Sequence, residues 1–148
     1  MKAKVLIGLL VMIIVGALGL SACGKSDEQK ALDAVQAYAD AMNKEDATAV
    51  RASMHRDNPS YFYIMQQLPG YFSLYNVKVS FDEMKYVGVT DGVATVDVVM
   101  TTVKTDQSDF KDNRITAQFK LKQQDGEWKV LDIAYDPAKD IEYLTPQP

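Results

Sequence analysis

The stretch Asp91-Gly92-Val93-Ala94-Thr95-Val96-Asp97-Val98-Val99-Met100-Thr101 decides the fold. Asp-Gly is favoured in a two-residue hairpin turn, because both central residues need φ > 0. Beyond the turn, Ala94, Val96, Val98 and Met100 alternate with Thr95, Asp97, Val99 and Thr101. A period of two with one apolar side is the pattern of an antiparallel strand that buries one face.

The theme repeats on both sides of this strand. Upstream, Val77, Val79 and Phe81 alternate with Lys78 and Ser80; Asp82-Glu83 interrupts, and Tyr86-Val87-Gly88-Val89 resumes. A bulge or kink is expected at the interruption. Downstream, Asp106 to Asn113 is a polar loop, and Ile115, Ala117, Phe119 and Leu121 then alternate with Thr116, Gln118, Lys120 and Lys122. Asp125-Gly126 marks a second tight turn, Trp128 to Tyr135 is the last strand, and Asp136-Pro137 ends it. Tyr143 to Pro148 reads as a tail.

Before Gly70 the period is that of helices. Ser26 and Gln29 have the spacing of a capping box, and Leu32, Val35, Ala39 and Met42 recur on one face, so a helix is expected over 28–43. Asp46 can cap a second helix carrying Ala49, Val50 and Met54. Asp57-Asn58-Pro59 starts a third, short and aromatic, which Pro69-Gly70 should end. Helices followed by a strand meander make an α+β order. Three helices on one face of a curved four-stranded antiparallel sheet would enclose a hollow cone.

The N-terminus has a different character. Lys2 and Lys4 precede an uncharged apolar run, Val5 to Leu20, and Leu20-Ser21-Ala22-Cys23 then gives way to the polar Gly24-Lys25-Ser26-Asp27-Glu28. The run is shorter than the roughly 20 apolar residues of a spanning helix and has the layout of a removable signal. It resembles a bacterial lipoprotein signal peptide with its lipobox. The resemblance implies cleavage before Cys23, thioether lipidation of that residue and acylation with palmitate-type chains. Two acyl chains anchor stably where one is marginal, since each buried CH₂ contributes about 0.8 kcal/mol. The expected organisation is a signal peptide over 1–22, a lipidated tether over 23–27, a domain over 28–144 and a tail over 145–148. The expected location is the extracytoplasmic side of a membrane in the bacterial cell envelope.

Removing residues 1–22 from 148 leaves 126, a single domain of ordinary size. Cys23 is the only cysteine, so no internal disulfide is available and the core alone must hold the fold. Without Lys2 and Lys4 the chain has 14 basic and 20 acidic side chains, a formal charge of −6. Such a domain lacks the basic footprint of a nucleic-acid partner.

The ordered set of the opening helix Ala31-Leu32-Asp33-Ala34-Val35-Gln36-Ala37-Tyr38, the turn Asn43-Lys44-Glu45-Asp46, the hairpin Asp91-Gly92-Val93-Ala94-Thr95-Val96 and the closing Asp125-Gly126-Glu127-Trp128-Lys129-Val130 resembles the NTF2-like superfamily (nuclear transport factor 2-like). The resemblance implies a cone-shaped α+β fold with a cavity, often dimerising through the sheet. It fixes no activity, because this fold hosts isomerases, dehydratases, binding domains and scaffolds.

Family enzymes place a carboxylate in the cavity, and Asp132 is the candidate here. Strict alternation from Trp128 and Val130 would turn it inward, where desolvation would raise its pKa toward that of a general base. A bulge after Val130 would instead turn Leu131 and Ile133 inward and leave Asp132 in water; its two apolar neighbours favour this reading. His55, the only histidine, sits near a helix C-terminus, which suits any histidine. The Asp106, Asp109 and Asp112 loop lacks the glycine and terminal glutamate of a calcium loop, and no metal or cofactor is expected. Tyr38, Tyr61, Tyr63, Tyr75 and Trp128 are the candidate ligand-binding residues around an apolar pocket. Phe62 and Phe72 are expected to plug the wide end of the cone.

The sequence therefore points to a lipid-anchored, non-catalytic domain that binds a small apolar ligand or an envelope protein. One alternative is an isomerase- or dehydratase-type enzyme using Asp132 with a tyrosine. Another is a spacer or homodimerisation module, with a filled cone and an apolar patch at Val99 and Val103.

Overall fold

Ser26 opens the first helix by accepting the Gln29 amide on its hydroxyl at 3.1 Å, which satisfies one of the free donors of the first turn. The computed structural model describes residues 24–144; the leader, Cys23 and the tail over 145–148 lie outside the described residues. The capping box is half formed, because the Gln29 side chain bonds Asp33 at 2.8 Å rather than returning to Ser26. Helix α1 (Asp27–Asn43) buries Ala31, Val35, Ala39 and Ala41. The buried stripe is thus centred on small residues, with Leu32 and Met42 at its margins, so the helix axis can approach the sheet closely. Asp46 caps α2 (Ala47–Ser53), accepting from the Thr48 and Ala49 amides at 3.0 Å each.

Helix α3 (Tyr61–Leu74) does not stop at Pro69-Gly70 but runs through both. Proline removes one intrahelical hydrogen bond and crowds the preceding turn. Packing on both sides of it outweighs that cost. Leu68 is buried, and Ile64, Met65 and Phe72 pack with it against Ala41, Val50 and Met54. The Ser73 hydroxyl also donates to the Pro69 carbonyl at 2.8 Å.

The sheet comprises β1 (Val77–Thr90), β2 (Val93–Lys104), β3 (Asn113–Gln124), β4 (Glu127–Ala134) and β5 (Ile141–Tyr143), all antiparallel. Spatial order is β1-β2-β3-β4, with β5 extending β3 along its other half. The fifth strand lies where the sequence suggests only a linker and tail. The turn after Asp136 produces it: the Asp136 amide donates to the Asp140 carboxylate at 2.6 Å, and Thr116 donates to the Asp140 carbonyl at 3.0 Å. Both Asp-Gly turns form as expected, with Asp91, Gly92, Asp125 and Gly126 all at positive φ.

β1 is an edge strand, and bare edges invite pairing with other chains. Two bulges interrupt its register, at Phe81/Glu83 and at Tyr86/Gly88. The first is the expected interruption; the second bulges Val87. Asn43 closes the start of the edge, donating to the Val79 carbonyl at 2.8 Å and accepting its amide at 2.6 Å. The core lies between α1 and the sheet, built from Ala31, Val35, Val96, Ala117, Phe119, Leu121 and Val130. Phe119 sits at its centre with Tyr38 edge-on at 5.7 Å and Phe81 edge-on at 6.1 Å. The middle of the cone is filled by side chains.

Candidate functional site

Strand β4 decides which of its side chains enter the cone. Leu121 pairs with Val130, but Lys120 pairs with Asp132, so Leu131 is the extra residue of a β-bulge. Asp132 stands opposite Lys120 on the outer face, while Ile133 stands opposite Phe119 and packs on the core. Strict alternation, which would bring Asp132 inward as a general base, breaks at Leu131. Lys120 itself donates to Thr95 at 3.1 Å on the same outer face.

His55 is buried at 4 % exposure. Its amide donates to the Val130 carbonyl at 2.8 Å, and its Nδ1 accepts the Asp57 amide at 3.0 Å. Asn58 is buried beside it; its Oδ1 accepts the Ser60 amide at 2.8 Å and its Nδ2 reaches the Val130 carbonyl at 3.4 Å. With the parallel bridge between Met54 and Val130, the segment 54–58 covers the free edge of β4. These groups satisfy backbone atoms, which is a structural role. Asp57 is held below the usual carboxylate range by the hydrogen bond from Lys122, at 3.1 Å.

The candidate aromatic residues do not converge on one pocket. Tyr38 packs on Phe119 inside the cone, and burial pushes its hydroxyl up to about 12. Tyr61 lies half-buried beside α2. Tyr75 joins Tyr71 at 5.5 Å and Phe110 at 5.6 Å. Tyr63 is 67 % exposed and Phe62 is 77 % exposed, so Phe62 does not plug the cone; Phe72 packs with Leu68 against Ala41, Val50 and Met54. Phe110 was invisible to pattern reading, because it sits in a loop of aspartates. That loop is ordered: Asp106 accepts from Ser108 and from both nitrogens of Asn76, and these bonds, Ser108 foremost, hold its carboxyl far below the usual range.

Trp128 is placed differently. It is 7 % exposed and walls a cleft of about 400 Å³ between α1 and the β3–β4 turn, together with Ala34, Ala37, Ser53 and Gly126. Lys30, Asp33, Glu127 and Lys129 form its polar rim. Lys25 pairs with Asp33, and Lys129 pairs with Glu127 at 2.6 Å; each lysine, as hydrogen-bond donor, holds its carboxyl below the usual range. Lys30 is the rim cation with no carboxylate partner among the described residues. The buried indole Nε1 has no acceptor among the described residues. An unsatisfied buried donor costs about 1–3 kcal/mol. Among the described residues no three His, Cys, Asp or Glu side chains cluster as metal ligands, and no helix is long and apolar enough to cross a membrane.

On the outer face, Val99 pairs with Glu83 and Thr116, and Val103 with Lys78. Around them, Asp82 accepts from Thr101 at 2.6 Å and from Arg114 at 3.1 Å, and Arg114 reaches Glu142 at 3.3 Å. The two valines are set in a charged surface rather than in a continuous apolar patch.

Three helices on a curved antiparallel sheet of this order define an NTF2-like fold. Solved structures that share it include a candidate aromatic ring hydroxylase from Novosphingobium aromaticivorans, with TM-score 0.64 and 14% identity over 82% of this chain and 96% of that one. A ketosteroid isomerase-like protein from Erwinia carotovora atroseptica gives 0.58 and 18% over 82% and 100%. A computationally designed 17-OHP binder gives 0.53 and 13% over 80% and 98%. At these identities the likeness is one of fold. Residues 33–144 match the model of the anti-sigma-I factor RsgI9 C-terminal domain, and the chain belongs to that domain family. No curated protein sequence matches it significantly.

Proposed function

We propose that this chain is a lipoprotein anchored through Cys23 on the extracytoplasmic side of a bacterial membrane. Its NTF2-like domain binds a small apolar ligand or an envelope protein at the Trp128 cleft and catalyses no reaction. The observation that carries the binding reading is the division of labour inside the fold: the cone is packed around Phe119, while an open cleft with an apolar wall lies beside Trp128. The cleft joins an apolar wall to a few polar groups, the usual composition of a ligand site. Lys30, on the rim, supplies a donor for an acceptor on the bound group. Membership of a family named for a domain of an anti-sigma factor, rather than of an enzyme, supports the same direction. The enzyme alternative would need Asp132 inside the cone, and the bulge at Leu131 puts it outside.

Trp128 is the sole tryptophan, which makes its fluorescence a reporter of the cleft. Anilinonaphthalene sulfonate, an apolar anion, should bind there and take energy transfer from Trp128. Ala37→Phe, which narrows the cleft from an exposed position on α1, should abolish that transfer. Transfer that persists unchanged in the Ala37→Phe variant would place the apolar site elsewhere.

A further inference from the structure

From Asn58 to Val77 the chain has no Asp, Glu, Lys, Arg or His, although charged residues make up 24% of the whole. The run contains all of α3. One side of that helix, through Ile64, Leu68 and Phe72, packs on α2 and the end of α1. The other side is open: Phe62 is 77 % exposed, Tyr63 67 % and Leu74 66 %, with Gln66, Gln67, Pro69, Gly70 and Ser73 exposed between them. An apolar helix without charges on its outward side is unusual in water, where such a side is normally charged.

We propose that this side of α3 lies on the lipid bilayer that holds the protein, with Phe62, Tyr63 and Leu74 at headgroup level. The inference rests on the Cys23 anchor proposed above, and two features of the chain favour lipid as the occupant. The first is reach. Cys23 stands four residues before the start of α1, so the tether spans at most about 14 Å. A domain of this size has a radius of gyration near roughly 13 Å. The whole domain is therefore held within a few nanometres of the bilayer, where even a weak surface contact is favoured by a high effective concentration.

The second is charge. The chain beyond the leader is acidic, and a carboxylate pressed against headgroups loses hydration and meets anionic lipid. The Asn58–Val77 run presents none. Tyr63 suits the interface, where rings with one polar edge concentrate, and Phe62 and Leu74 supply the apolar area that an interfacial helix buries. With no Lys or Arg in the run, the contact should not require anionic lipid.

The test uses the lipidated mature protein, floated with phosphatidylcholine vesicles whose acyl chains carry bromine, a short-range quencher. Phe62→Trp replaces one exposed ring by another, and Leu74→Trp probes the other end of the helix. Thr116→Trp, exposed on the outer sheet face, is the control. The emission added by Phe62→Trp and by Leu74→Trp, over that of Trp128, should shift to the blue and lose about half its intensity on brominated lipid, as expected for side chains in the interface. The emission added by Thr116→Trp should do neither. Unquenched α3 probes on protein that floats would overturn the inference and leave the anchor standing. A blue shift without quenching would overturn it in favour of a second copy covering α3. Equal quenching of the Thr116→Trp control would overturn it in favour of unselective insertion. Protein that does not float would remove both the anchor and this inference.

Discussion

Asp132 and Lys120 face each other across β3 and β4 on the outer side of the sheet, one residue away from the register that would aim the carboxylate at Phe119. The displacement is the work of Leu131, the bulged residue. A one-residue shift moves a side chain to the opposite face, so this bulge separates a packed cone from an acid-bearing one.

Asp132→Asn should accordingly change stability by no more than about 0.5 kcal/mol, as for other outward positions. Phe119→Ala, by contrast, removes the ring on which Tyr38 and Phe81 both rest, and should cost about 3–5 kcal/mol. Urea denaturation of the two variants checks this. A large loss from Asp132→Asn alone would mean that the carboxylate has an inward role.

The strands and their faces were legible because β2 and β3 alternate without interruption, and both Asp-Gly pairs occupy the positive-φ positions that such turns require. Two features escaped. Pro69-Gly70 looks like a helix end, yet Leu68 and Phe72, one turn apart, dock in the same cluster and carry the helix through; local propensity lost to tertiary packing. The three residues of β5 are too few to show a period, and their placement depends on the Asp136–Asp140 turn. At the candidate site, Trp128 was legible as a ring entering the last strand. The cleft beside it was not, because its other wall, Ala34 and Ala37, belongs to a distant helix.

Glycine replacements separate the two kinds of turn signal. Gly70 lies within α3 with open space around its Cα, whereas Gly92 has φ +75. Gly70→Ala should stabilise the domain by about 0.5–1 kcal/mol through lower chain entropy and better helix propensity. Gly92→Ala should destabilise it by about 1 kcal/mol, because the new side chain strains a left-handed backbone. Thermal melts give both signs; a destabilising Gly70→Ala would contradict a helix running past Pro69.

Alkaline pH tests the burial of Tyr38. Its folded pKa, about 12, lies above the value near 10 of an exposed tyrosine. The neutral form is therefore favoured in the folded state, and stability present below about pH 10 should fall as pH rises from about 10 to 12, by about 2 kcal/mol. Tyr38→Phe should flatten this limb. An unchanged alkaline limb in that variant would assign the loss to another group.

Acid should act through the surface carboxylates. Asp106, Asp57 and Asp82 have folded pKa values lowered by their hydrogen-bond partners, Ser108, Lys122 and Thr101 first among them. Their stabilisation is present above the unfolded value of about 3.9 and should disappear as pH falls through the lower folded values. Asp106→Asn should reduce the loss on acidification, since Asp106 is the most strongly lowered of the three. A pH titration of unfolding midpoints reads this directly.

The membrane anchor is most directly tested by the intact mass of the protein extracted with detergent from the membranes of a bacterial host. The account predicts a chain that begins at Cys23 and carries a diacylglyceryl group on its sulfur. A chain that begins at Met1 with no added lipid would contradict it.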